Sequence, residues 1–168
     1  MTHEENYLAW VKDAHAMEKQ AESMLEKQAA RLEHYPDLKA RIEQHIDETR
    51  QQQAMVQSVI DRYDTSHSVL KDTVGKLTAF GQAMGGMLAD DEVVKGAISS
   101  YAFENFEIAN YTALIAAAEL IGDTEGARVF TEIREQEVAM ADWALNHLPD
   151  VTEQFLTRSA APGVEAKK

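Results

Sequence analysis

The sequence of 168 residues contains no cysteine, which excludes disulfide bonds, thiolate catalysis and cysteine-ligated zinc or iron–sulfur centres. Any metal must therefore be held by oxygen and imidazole nitrogen. Basic residues are also scarce, because 16 Lys and Arg stand against 29 Asp and Glu, for a formal net charge of -13. This charge is repelled by the phosphates of nucleic acids and anionic membranes, so we expect neither as a partner.

Long apolar runs are missing as well. No stretch approaches the roughly 18 apolar residues of a membrane span, and residues 1–7 are polar and acidic. We therefore expect a cytoplasmic protein. The length suits one domain with a real hydrophobic core.

Only three prolines and eight glycines interrupt the chain, and the alternating β-branched pattern of strands is absent. Apolar residues at spacings of three and four predict four long helices instead. The predicted helices span residues 4–34, 37–64, 91–121 and 124–148.

The connection between the second and third predicted helices is long, and residues 66–80 carry apolar residues at helical spacing. A long connection at this point is typical of ferritin-like wiring. Pro149 is interpreted as a helix end, with residues 150–158 forming a short C-terminal helix and 159–168 a disordered tail. The predicted fold is all-α: a ferritin-like four-helix bundle over residues 1–158, with a long crossover between helices two and three.

Five carboxylates fall on or beside the apolar stripes of these helices, where hydrophobic residues are expected. They are Glu18, Glu48, Glu104, Glu107 and Glu137. Counted outward from the two predicted hairpin turns at about 1.5 Å per residue, they lie at similar depths near the middle of the bundle. A buried ionised carboxylate must be paired, protonated or bound to a metal, so the pattern favours a metal site.

His45 lies three residues before Glu48 and so shares its helix face. It is a candidate nitrogen ligand, or alternatively a packed histidine that donates to a carboxylate. Glu48 has its own alternative, as a solvent-facing member of an acidic pair with Asp47. The sequence leaves both choices open.

Four segments resemble the YciE/YciF family of bacterial stress proteins, and the YciE branch most closely. They are DAHAMEKQ at 13–20, HIDET at 45–49, FEIANY at 106–111 and GVEAKK at 163–168. The resemblance implies a ferritin-like, rubrerythrin-related four-helix fold, an association with general stress responses and a homodimer. Members of that family have no firmly assigned reaction, so the resemblance implies none for this chain.

Carried over residue by residue, the resemblance places the metal ligands of helices one to four at Glu18, Glu48, Glu104 and Glu137, and an additional carboxylate at Glu107. Ferritin-like sites usually place a histidine three residues after the glutamates of helices two and four. This chain has Gln51 and Met140 there. His45 is the candidate that compensates for them.

Two functions follow as hypotheses. The first is a carboxylate-bridged di-metal protein of the stress response that holds iron or manganese, which hard oxygen donors and imidazole suit, and that reacts with oxygen or peroxide. The second is a non-enzymatic bundle with a relic or structural metal site that acts through protein contacts. Enzymatic activity is left open, and the electron donor is unknown. An iron-storage shell is disfavoured.

Overall fold

The computed structural model describes residues 1–63 and 93–164, which form four helices. These are α1 (His3–Ala29), α2 (Pro36–Arg62), α3 (Val93–Ile121) and α4 (Thr124–Ala160). The described residues contain no strand. The prediction of an all-α four-helix bundle is confirmed. The predicted crossover, including its helix at 66–80, lies outside the described residues.

The helices pair as two hairpins, α1 with α2 and α3 with α4, and the hairpins pack through α1 on α3 and α2 on α4. A two-residue turn joins α3 to α4. Gly122 adopts a φ of 80°, in the left-handed region that favours glycine, and ends α3. Asp123 then caps α4, because its Oδ1 accepts a hydrogen bond of 2.9 Å from the backbone N–H of Gly126.

α1 ends at Ala29, earlier than the predicted residue 34. Residues 30–35 form turns, including a 3.2 Å bond from the Leu32 N–H to the Ala29 carbonyl. Pro36 disfavours helical backbone in the residue before it, and Tyr35 adopts φ -126° and ψ 67°. Leu32 and Tyr35 are nevertheless buried, so apolar residues recur at helical spacing through the turn. A prediction from this spacing alone therefore places the end of the helix too late.

The predicted short C-terminal helix is wrong as a separate element. Residues 150–158 are helical, but they continue α4, which passes through Pro149 and ends at Ala160. Proline removes one backbone hydrogen bond, yet its φ near -65° is compatible with a helix. The lost bond is offset by packing, because Val151 is buried and Phe155 partly buried against the cluster that contains Tyr35.

Two apolar clusters fill the bundle at different heights. One contains Tyr7, Val11, Val59, Tyr111 and Phe130, and the other contains Leu25, Leu38, Ile42, Met140 and Val151. On α2 the residues buried between the two clusters are polar, and on α4 a glutamate separates Ile133 from Met140. A polar layer therefore lies inside the bundle with hydrophobic packing above and below. Within the two described ranges, none of the helices has the length and hydropathy of a membrane span.

Candidate metal centre

Four of the six predicted site residues meet in the polar layer. His45 comes from α2, Glu104 and Glu107 from α3, and Glu137 from α4. One potential ligand atom from each lies within 4.8 Å of the others, and all four side chains are buried. Nitrogen and oxygen ligands in this number are compatible with a metal ion.

The helices position these carboxylates through their apolar neighbours. Glu104 and Glu107 are three residues apart and therefore share one face of α3. Glu137 lies between Ile133 and Met140, which are almost completely buried on the same face of α4. Burial of the flanking hydrophobic residues carries Glu137 inward, where its exposed fraction is 0%.

His45 connects three carboxylates. Its Nε2 lies 3.1 Å from Glu104 Oε2 and 3.3 Å from Glu137 Oε2, whereas its Nδ1 lies 2.8 Å from Glu48 Oε2. Arg41 and Gln44 in turn hold Glu48, at 3.3 Å and 2.9 Å. One imidazole nitrogen therefore faces the buried cluster and the other faces an anchored carboxylate, which is the arrangement that orients a metal-ligating histidine.

Glu48 does not join the four-residue group. Its side chain is 22% exposed and contacts the outer nitrogen of His45. His45 is therefore the residue of α2 that faces the cluster, in a position that suits a ligand and equally a histidine donating to a carboxylate. Glu48 pairs with His45 from outside the cluster and not with Asp47. Gln51 is exposed and Met140 is buried in the apolar core, so neither offers a ligand atom to the layer.

Glu18 approaches the same layer from α1. It is fully buried, and its Oε1 accepts a short hydrogen bond from the hydroxyl of Tyr111. It also lies outside the four-residue group, but after burial the charge of Glu137 is the largest influence that raises its pKa. The same is true of Glu107. Glu137 is therefore the carboxylate to which the others are coupled.

Several oxygen atoms of the cluster have no hydrogen-bond partner among the described residues. They are Glu18 Oε2, Glu107 Oε1 and Glu137 Oε1, while Glu137 Oε2 has only the 3.3 Å ion pair with His45 Nε2. Buried carboxylate oxygens are almost always hydrogen-bonded, because leaving one bare is unfavourable by about 1–3 kcal/mol or more. A cation placed among these oxygens would satisfy them, so the residues fit a bound metal.

Protonation is the alternative means of neutralising the cluster. Burial raises the pKa of Glu104 to about 8 and holds those of Glu18 and Glu107 well above the usual range. Burial also opposes a charged His45, but Glu104 and the other carboxylates outweigh it and raise its pKa. The pKa of Glu137 is lowered, because His45 and Glu104 outweigh the effect of burial. In the absence of metal, burial therefore favours the protonated form of Glu18, Glu104 and Glu107.

The sequence carries less information about the residues that support the site than about the clustered glutamates. Gln52 is fully buried and donates a 2.9 Å hydrogen bond from Nε2 to Gln136 Oε1. The spacing of four between Gln44 and Glu48 is a detectable signal for a pair on one helix. Gln136 carries no such signal, because its partner lies on another helix.

Fold and site together define a class: an all-α four-helix bundle with a buried His and Glu cluster that is compatible with metal binding. The chain belongs to the family described as Domain of unknown function (DUF892), whose model matches residues 2–157. It is similar to a protein of Xanthomonas campestris pv. campestris of known crystal structure, at 38% identity and a TM-score of 0.78. That likeness covers 95% of this chain and 100% of the other.

Two further structures share the fold at lower identity. The Escherichia coli stress protein YciF is 22% identical with a TM-score of 0.73, over 89% of this chain and 98% of its own. YcfI of Rhodopseudomonas palustris, a putative structural protein, is 23% identical with a TM-score of 0.69, over 86% and 93%. The predicted YciF-like family is confirmed at this level. A closest relation to YciE is not supported by these matches.

Proposed function

We propose that this protein is a ferritin-like di-metal carboxylate protein of the stress response that binds iron or manganese. The observation that supports the proposal most is the convergence of His45, Glu104, Glu107 and Glu137 within 4.8 Å, with carboxylate oxygens left without hydrogen-bond partners among the described residues. A bundle core does not gain stability from such a cluster unless cations or protons neutralise it.

The donor set favours iron or manganese. Carboxylate oxygens with one imidazole are hard donors, which suit Fe(II), Fe(III) and Mn(II), whereas thiolates and multiple imidazoles are absent from the cluster. Charge favours two ions, because Glu18 is also fully buried and brings the number of buried glutamates in the polar layer to four. Four buried carboxylates match the charge of two divalent cations.

The chain's own residues would hold and shield the metal. Glu104, Glu107, Glu137, Glu18 and the inner nitrogen of His45 would provide the ligands. Bound iron or manganese would supply redox chemistry toward oxygen or peroxide. The apolar clusters on both sides exclude water from the layer, and this strengthens every electrostatic interaction within it.

The association with stress comes from the YciF relative, which is described as a stress protein. We extend it to this chain as part of the proposal, together with placement in the YciE branch, a cytoplasmic location and a homodimer. The resemblance of the four quoted segments supports the branch. A sizing column tests the dimer directly.

Metal loading tests the proposed function. Protein purified without chelators and loaded anaerobically with Fe(II) or Mn(II) should hold about two ions per chain, as di-metal bundles do. Glu137→Gln should lower this stoichiometry, whereas Glu119→Gln, an exposed position on α3, should not. Metal-free protein with an unchanged melting temperature after Fe(II) and Mn(II) addition would contradict the proposal.

The second candidate is a non-enzymatic bundle that works through protein contacts. It is favoured by the three carboxylate contacts of His45, which can neutralise part of the cluster without metal. The description of YcfI as a putative structural protein agrees with it. Glu107→Gln separates the candidates: in a scaffold it raises the melting temperature at pH 7 and changes no metal-dependent property. Gln is neutral without a proton, whereas buried Glu107, whose pKa is raised, must keep a proton that the unfolded chain has lost.

A further inference from the structure

Tyr111 connects the candidate metal centre to the apolar core. It lies on α3, seven residues and thus about two turns after Glu104. Its ring is fully buried, and its hydroxyl donates the short hydrogen bond to Glu18 Oε1. The hydroxyl of Tyr111 therefore contacts a carboxylate of the centre, while its ring packs against neighbouring aromatic rings.

The rings continue from Tyr111 toward the end of the bundle. The centroid of Tyr111 lies 6.0 Å from that of Phe130, and Phe130 lies 6.3 Å from Tyr7. Tyr7 lies 5.9 Å from Tyr63, which is only partly buried at the end of α2. We call Tyr111, Phe130, Tyr7 and Tyr63 the aromatic relay. It reaches from the buried polar layer to the protein surface.

Each tyrosine of the relay donates its phenolic proton to a carboxylate. The hydroxyls of Tyr7 and Tyr63 both donate to Asp123 Oδ2, at 2.7 Å and 2.9 Å. Arg62 fixes this carboxylate from the other side, at 2.9 Å from Oδ1 and 3.1 Å from Oδ2. A tyrosine gives up an electron readily only when its proton has an acceptor, since the oxidised phenol is a very strong acid. Tyr7 and Tyr63 meet this condition at the ionised Asp123, and Tyr111 meets it at Glu18 Oε1 once a bound cation rather than a proton neutralises that carboxylate.

We propose that the aromatic relay carries single electrons from a soluble reductant at Tyr63 to the metal centre beside Glu18. The inference rests on the proposed function and supplies what that function lacks, namely a route for electrons in a chain without cysteine. The reductant is a small one-electron donor of the ascorbate type. The oxidant is hydrogen peroxide.

The transfers balance in electrons and protons. Tyr111 gives one electron to the centre and its proton to Glu18 Oε1, and becomes a neutral radical. An electron from Tyr7, passing Phe130, restores Tyr111, which recovers its proton, and Tyr63 restores Tyr7 in the same way beside Asp123. The reductant then restores Tyr63. Two reductant molecules supply two electrons through the relay and release their protons to solvent at the surface. With two protons taken up from solvent, these electrons convert one peroxide to two waters.

Hydrophobic packing alone does not require the hydroxyls. Phenylalanine would fill the same ring volume at each position, and a buried hydroxyl must find a partner to avoid a desolvation cost. The side chains of Asp123 and Tyr7 pack tightly against the backbone of Gly126, because a side chain at position 126 would collide with Asp123 and the Tyr7 hydroxyl. Three rings with acidic partners in one line therefore indicate a role beyond filling space.

Rapid freezing and electron paramagnetic resonance test the relay. Protein loaded with Fe(II) is mixed, without reductant, with more hydrogen peroxide than its Fe(II) ions can reduce, so that further electrons must come from the protein. The sample is frozen and compared with protein containing ring-deuterated tyrosine. The wild type should show a tyrosyl radical whose hyperfine pattern collapses on deuteration. A nitroso spin trap, located by peptide mass spectrometry, should label Tyr63. Ascorbate should remove the radical.

Substitutions assign the steps. Tyr111→Phe should lose the radical and the label at Tyr63. Tyr63→Phe should keep a radical, lose the surface label and slow the decay of the radical by ascorbate. Tyr101→Phe, a tyrosine of α3 outside the relay, should behave as the wild type. Metal content and circular dichroism of every variant exclude loss of folding as the cause.

Two results would overturn the relay. Protein that binds metal and consumes peroxide but forms no tyrosyl radical would refute it and leave the proposed function intact. A radical that is equal in Tyr111→Phe and wild type would do the same. Failure to bind metal, measured on the same samples, would instead refute the proposed function and the relay with it.

Discussion

The metal-free protein should lose stability as the pH rises from about 5 to about 8. A carboxyl whose pKa is raised on folding gives stability that is full below its unfolded pKa and is lost as the pH rises through its folded pKa. Glu104, Glu18 and Glu107 are of this kind. His45 acts in the same direction, because its raised pKa gives stability that is lost only above 6.5. Glu137, whose pKa is lowered, changes stability only below about pH 4.5, outside this range.

The shift in the pKa of Glu104 gives the expected size of the decrease in the free energy of unfolding. This pKa rises from 4.5 to about 8 on folding, so at pH 7 the folded carboxyl keeps a proton that the unfolded one has lost. At about 1.4 kcal/mol per pH unit, this removes roughly 3 kcal/mol between pH 4.5 and 7. Total stabilities of domains are about 5–15 kcal/mol, so the effect is large enough to measure.

Urea unfolding of chelator-treated protein, followed by circular dichroism at pH 5, 6, 7 and 8, measures the effect. Glu104→Gln should reduce the pH dependence by roughly 3 kcal/mol between pH 4.5 and 7, because it removes one of the titrating carboxyls. Glu119→Gln, exposed on the same helix, should follow the wild type. A free energy of unfolding that is constant or rising between pH 5 and 8 in the wild type would refute the reasoning.

Three other outcomes are expected. Asp123→Asn should lower stability at pH 7 by about 2 kcal/mol, because Arg62 and the other donors outweigh burial and lower the Asp123 pKa to about 2; the difference from wild type in urea unfolding should shrink as the pH falls from about 4 toward 2. Val151→Ala should destabilise by about 2 kcal/mol if α4 packs beyond Pro149 as described, whereas Thr152→Ala, beside it, should have a much smaller effect. Metal uptake at pH 7 should release protons, since Glu104 is then largely protonated; calorimetry in two buffers of different ionisation enthalpy measures this release, and a heat independent of buffer would contradict it.

Most of the fold could be predicted because helical periodicity is a local signal. The starts of α2 and α4 follow from Pro36 and from the Gly122 and Asp123 turn, and each prediction fell within one residue of the structure. Pro149 misled the prediction at the other end, because the packing of Val151 against another hairpin is not visible in local sequence. Helix boundaries that depend on tertiary contacts therefore could not be predicted from the periodic pattern.

The site was predictable in composition and less so in geometry. Buried carboxylates on apolar stripes identified the interior members of the cluster, because burial follows from neighbours along the same helix. The pattern could not show that Glu48 points to the outer nitrogen of His45, since positions 45 and 48 share a face of α2 and differ by a modest rotation. Side-chain direction within one face decides between a ligand and its supporting partner.

Gln51 and Met140 stand where ferritin-like sites usually have histidine. The same rotation explains how the candidate centre can nevertheless contain an imidazole nitrogen. Position 51 points to solvent, so a histidine there would not face the layer in this bundle. His45 lies six residues earlier, on the buried face, and brings an imidazole to the same height as Glu104 and Glu137. In the proposed centre, α2 would therefore contribute the nitrogen of His45, and Glu48 would orient this histidine from outside the cluster.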